Sequence, residues 1–138
     1  MTPEQVASAG TEHAHQCAVF CWAQQYQKKN SINEITKALR WMYAIPNGGE
    51  RSRSQAGRMV AEGVKSGVSD MCLPTASRGY AGFYLEMKRE DGGSGESDKQ
   101  IEFGEYIKTQ NYFYRCCHGW EDAVRYIKWY LNMENENV

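Results

Sequence analysis

A chain of 138 residues, 41% hydrophobic and 24% charged, has the makeup of one ordinary globular domain, large enough to bury a core without disulfide staples. Its formal net charge of −1 argues against binding polyanions through bulk charge. No apolar run approaches the roughly 18 residues that a membrane span needs, so no membrane partner is expected. The N-terminus has no basic segment followed by an apolar one, which leads to the expectation of a cytoplasmic protein without a secretory signal. The charge is unevenly spread: residues 40–89 carry eight Lys or Arg against four acids, and residues 90–138 carry five against ten. A cationic middle suits a nucleic-acid backbone, although scattered basic residues also simply solvate a surface.

In chain order, residues 1–10 are polar and small and are expected to fray. Thr11 is a candidate N-cap for a helix running to about Lys29. Glu12 falls in its first turn, where the helix dipole favours an acid. His13, Cys17 and Cys21 recur every four residues on this helix, one face of which zinc would need. A fourth ligand would have to come from Cys116, Cys117 or His118, and no recognised zinc spacing is present, so reduced thiols acting as small hydrophobes are the preferred reading. A polar turn follows, with Ser31 or Asn33 capping a short helix through Leu39. Trp41–Ile45 reads as a strand, stopped by the turn Pro46-Asn-Gly-Gly49. From Glu50 a helix is expected to about Lys65, with Ala56, Met59, Val60 and Val64 as its apolar stripe. Arg51, Arg53 and Arg58 gather at its start, either as bidentate phosphate contacts or as exposed charges.

Two strands then face each other, Gly67–Pro74 and Gly82–Lys88, around a break at residues 75–81. A hairpin symmetric about Arg78 places Asp70 opposite Glu86, with Cβ atoms about 4.5–5.5 Å apart, where like charges repel. Lys88 shares the face of Glu86, two residues away. Such a patch is either a site for a hard divalent cation or a solvated strand face on which Lys88 pairs with Glu86. Residues 90–96 form a glycine-rich loop, and Ser97-Asp-Lys-Gln100 fits a capping box that opens a helix to about Gln110. Tyr112–Cys117 reads as a strand and His118-Gly119 as a turn. A last helix, Trp120 to Leu131, carries Trp120, Ala123, Val124, Ile127 and Leu131 on the face that covers the sheet. The tail 132–138 is expected to fray. This order predicts an α/β fold, a small mixed β-sheet flanked by helices, in a single domain spanning 1–138.

The order Asp70, hairpin, Glu86-Met-Lys88 resembles the PD-(D/E)XK nuclease superfamily. Pro46-Asn-Gly-Gly49, Ala61-Glu-Gly-Val64, Gly67-Val-Ser-Asp70, Leu85-Glu-Met-Lys-Arg89, Gln100 and His118-Gly119 together make the chain similar to the VRR-NUC (virus-type replication-repair nuclease) domain in its stand-alone, phage-type form. Ser69 departs from the pattern, since the family usually has proline before the aspartate. The resemblance implies the restriction-endonuclease-like core and a Mg²⁺- or Mn²⁺-dependent endodeoxyribonuclease. It implies that Asp70, Glu86 and the Met87 carbonyl bind metal, that Lys88 orients or deprotonates the attacking water, that Glu12 binds a metal or positions the metal-bound water, and that Gln100 orients that water or Lys88. Asn47, at the rim, and Arg51, Arg53, Arg58 and Arg89 are then candidates for DNA contact. Branched DNA is the implied substrate, and a homodimeric Holliday-junction resolvase the implied form, with Tyr43, Tyr80, Trp120 and Trp129 as either dimer-surface or core residues. A flap or single-strand nuclease and a catalytically idle DNA-binding scaffold are the alternatives.

Overall fold

Strict alternation along one strand organises the computed structural model, which describes residues 1–46 and 53–133. In β3 (Phe83–Lys88), Phe83, Leu85 and Met87 are fully buried on one face, and Tyr84, Glu86 and Lys88 point to the other. Strand β2 (Met71–Leu73) pairs antiparallel with β3 in the register Met71 to Leu85. Continuing that register by one residue puts Asp70 opposite Glu86, as the expected hairpin requires. The turn is tighter than expected. Ser77 and Tyr80 exchange backbone hydrogen bonds around Arg78 and Gly79, both at positive φ, a geometry that suits the twist of a hairpin.

A two-residue strand β1 (Tyr43–Ala44) adds antiparallel to β2, and β4 (Phe113–His118) adds parallel to β3, giving the order β1-β2-β3-β4. A parallel pair needs a crossover, and α5 (Asp98–Thr109) supplies it. This is the mixed α/β sheet that the sequence predicts. On the Phe83 face lie α2 (Glu12–Lys29) and α6 (Trp120–Tyr130), which contribute Ala18, Val19 and Trp22, and Ala123, Val124 and Ile127, to the core. Phe113 stacks on Tyr130 with ring planes 7° apart, and the Tyr130 hydroxyl donates to the Thr75 carbonyl, fastening α6 to the hairpin. α5 lies on the opposite face, that of Glu86.

Several expectations change. Residues 1–10 do not fray: Thr2 caps α1 (Pro3–Val6) through a capping box, a 3₁₀ turn covers Ala7–Ala9, and Ala7 is buried in the core. Asn132 and Met133 are also ordered, with Met133 buried and its amide bonded to the Lys128 carbonyl; 134–138 lie outside the described residues. Asn33, rather than Ser31, caps α3 (Glu34–Trp41), and this helix takes Trp41 from the expected strand. The helix α4 (Arg53–Ala61) has no buried residue, so its apolar stripe does not reach the core, and Val60 is 69% exposed.

Candidate active site

The polar face of β3 meets the first turn of α5. Ser97 caps that helix, accepting from the Gln100 amide, and the Gln100 side chain completes the box by accepting from the Ser97 amide. The same carboxamide goes further. Its Nε2 donates to Glu86 Oε1 at 2.8 Å, and its Oε1 accepts from Lys88 Nζ at 3.1 Å. One residue thus caps a helix and bridges the acid and the lysine of the Glu-x-Lys motif. The predicted capping box is present, and the same side chain contacts both Glu86 and Lys88.

Asp70 closes the group from the other side. Its Oδ2 accepts from the Met87 amide at 2.7 Å, which fixes the carboxylate at the end of β2. Glu86 is 1% exposed, and its Oε2 has no hydrogen-bond partner. Burial first, then the charge and hydrogen bonding of Asp70, push its pKa up to about 9, with Lys88 opposing. With Glu86 buried and Asp70 opposite it at the edge of an open cleft, sharing a proton or taking a cation relieves the repulsion, and a cation also satisfies the orphaned oxygen. The residues therefore fit a hard divalent ion with two protein carboxylates. The reading of a solvated strand face does not hold for Glu86 and Lys88, since both are buried.

Glu12 stands exposed in the first turn of α2 and lines an open cleft of about 440 Å³ together with His13, Gln16, Ala44, Ile45, Pro46 and Asp70. It also approaches the glycine-rich loop, where a Cβ on Gly93 would sit 3.7 Å from its Oε2. Among the described residues no three His, Cys, Asp or Glu form one close group, so Glu12 lines the cleft beside the acid pair without being packed against it. The same fact removes the zinc reading. Cys17 is exposed with its sulfur 3.6 Å from His13 Nε2, and Cys21 turns to the Met1 carbonyl and Gln25. Arg89 is exposed and pairs with Asp91 at 3.3 Å at the loop rim. Arg53 and Arg58 stand on α4, outside the hydrogen-bond chain that joins the site. Asn47 and Arg51 lie outside the described residues.

Glu96 and Tyr114 escaped sequence reasoning. The Tyr114 hydroxyl donates to Glu96 Oε2 at 2.6 Å, and the Glu96 charge adds to the upward push on Glu86 and on the half-buried Cys116 thiol. The Tyr114 ring reaches that far because α5 carries Gly104 there: a Cβ at 104 would lie 2.8 Å from the ring. The available signal was the alternation that sets Tyr114 and Cys116 on the Glu86 face of β4, beside Tyr84 and Glu86.

No protein-family model matches the chain, and no curated protein does. A solved structure described as a VRR_NUC domain protein superposes with a TM-score of 0.71 at 23% sequence identity, covering 88% of this chain and 88% of that one. At that identity the likeness establishes a shared fold. It is the fold that the motif resemblance implies.

Proposed function

We propose that the protein is a metal-dependent, structure-selective DNA endonuclease that hydrolyses phosphodiester bonds, working as a homodimer on four-way junctions. One observation carries this reading: Asp70 opposes a buried Glu86 whose free oxygen lacks a partner, while Gln100 holds Lys88 beside the pair. Asp70, Glu86 and the Met87 carbonyl would hold Mg²⁺ or Mn²⁺, and such a cation supplies Lewis acidity that makes water a better nucleophile and draws charge from phosphoryl oxygens.

The chain does the rest. Gln100 fixes Lys88 Nζ, with little rotamer freedom left, where as an ammonium it orients the attacking water and offsets negative charge on the phosphoryl group, or as the free amine it takes the water's proton. Glu12 faces the same cleft as Asp70 and steers the water from the α2 side. Arg89, at the loop rim, and Arg53 and Arg58, on α4, present permanent charge to the DNA backbone. Opposed strands of a junction need two sites, which a twofold dimer provides.

The test is cleavage of a labelled four-way junction with Mg²⁺ or Mn²⁺, beside matched duplex and flap, by wild type and Asp70→Ala. Paired symmetric nicks that vanish in the variant support the reading. Cleavage of the flap alone keeps the site and changes the substrate. Binding without cleavage of any substrate by wild type makes the protein a scaffold.

A further inference from the structure

His15 takes no part in the site described above, yet it is 5% exposed and polar, at the base of the helix that carries Glu12. Its Nδ1 accepts from the Trp120 amide at 3.0 Å, a buried bond across 105 residues of sequence. Accepting at Nδ1 leaves the ring proton on Nε2. Trp120 is the first residue of α6, and the N-cap Gly119 offers no side chain to that helix. Orphan amides at a helix start need an acceptor. Here it comes from a different helix.

The preceding amide is committed as well. Gly119 N donates to the Lys88 carbonyl at 2.9 Å. Gly119 lies at φ +90°, and a Cβ there would fall 2.9 Å from Glu90 Cγ and 3.5 Å from His15 Cε1. Consecutive N–H groups of one turn thus grip the end of the Glu-x-Lys strand and the imidazole of α2. Glu12 sits one helical turn before His15, on the wall of the cleft it shares with Asp70.

We infer that His15 is a positioning residue: by accepting from Trp120 it locks the first turn of α2, and with it Glu12, to the Lys88 end of β3. This rests on the nuclease reading. Outer groups that orient ligands typically change metal affinity or activity by about 10–100-fold.

The test uses the full chain with His15→Asn, whose Oδ1 is as many bonds from the backbone as Nδ1, and His15→Gln, which moves the amide one bond further. Three quantities are measured: hydrogen exchange at the Trp120 amide, Mn²⁺ affinity by calorimetry, and kcat and KM on the junction. His15→Gln should speed Trp120 exchange and weaken Mn²⁺ binding about tenfold. It should lower kcat by a similar factor with KM within about twofold, and His15→Asn should recover most of each loss. Fast Trp120 exchange in His15→Gln with wild-type Mn²⁺ affinity and kcat overturns the inference, leaving His15 a cap for α6 alone. Equal losses in Asn and Gln overturn it too, because the ring and not its acceptor then matters. A wild type that neither binds Mn²⁺ nor cleaves brings down the nuclease reading itself, and this inference with it.

Discussion

Glu86 and Ser69 are the two buried side chains with an orphaned oxygen among the described residues, and they predict opposite things. The Ser69 hydroxyl is fully buried beside Asp70. A buried hydroxyl without a partner costs about 1–3 kcal/mol, and alanine removes it while leaving a very small void. Ser69→Ala should therefore be more stable by about 1 kcal/mol, read as a higher urea midpoint at unchanged slope. Glu86 differs because its orphan belongs to an ionisable group. Its pKa rises from 4.5 to about 9 on folding, so the folded state binds a proton that the unfolded state releases. That stability is complete below the unfolded value and is lost as pH climbs through the folded one. In a chelator, the wild-type melting temperature should fall between pH 6 and pH 9. Glu86→Gln should flatten the fall, and Mg²⁺ should restore the wild type at high pH but not the variant. A melting temperature indifferent to pH in this window would mean that burial and the Asp70 charge do not hold the Glu86 carboxyl protonated.

At the scale of elements, the decisive contact is α5 against β4. Replacing a mid-helix glycine with alanine ordinarily gains up to about 1 kcal/mol. At Gly104 the added Cβ meets three Tyr114 ring atoms, at 2.8, 2.9 and 3.2 Å, and overpacking of that kind costs about 1–3 kcal/mol. The ring has little room to yield, since its hydroxyl is tied to Glu96. Gly104→Ala should thus destabilise the wild type by urea unfolding and stabilise a Tyr114→Ala background, a change of sign that a double-mutant cycle reads directly. Contacts of this type explain what the sequence concealed. The apolar face of α6 was legible because its spacing is local, and all five predicted residues are buried. The register of Asp70 against Glu86 was legible because a hairpin ties it to one turn. Gln100 was legible through its capping box. The packed N-terminal turn rests on Ala7 and Val6 meeting a core built by other elements, so composition alone marked it as a tail. The apolar residues of α4 read as core for the opposite reason: periodicity reports a stripe and says nothing of what covers it. His15 and Glu96 owe their places to partners 105 and 18 residues away, beyond any window of local pattern.

For the whole molecule, the question is whether one copy suffices. None of its helices, among the described residues, is long and apolar enough to cross a membrane. Of four aromatic residues that suited either a dimer surface or the core, Trp120 is buried in the core and Tyr80 packs against it, which leaves Tyr43, 47% exposed, and Trp129, 37% exposed beneath the Arg78 guanidinium. A mixing experiment answers without knowing the interface. If each subunit of a dimer cuts one strand, wild type equilibrated with an equal amount of Asp70→Ala assorts into about a quarter active, half hybrid and a quarter inactive pairs. Junctions cut on both strands in one encounter should then fall to about a quarter of the wild-type yield, and singly nicked junctions should accumulate from the hybrids. Independent monomers would behave differently, because the inactive chain merely dilutes the active one. The mixture would then give the same products, in the same proportions, as wild type alone at half the concentration, and the dimer would have to be abandoned while the Asp70–Glu86–Lys88 site stood.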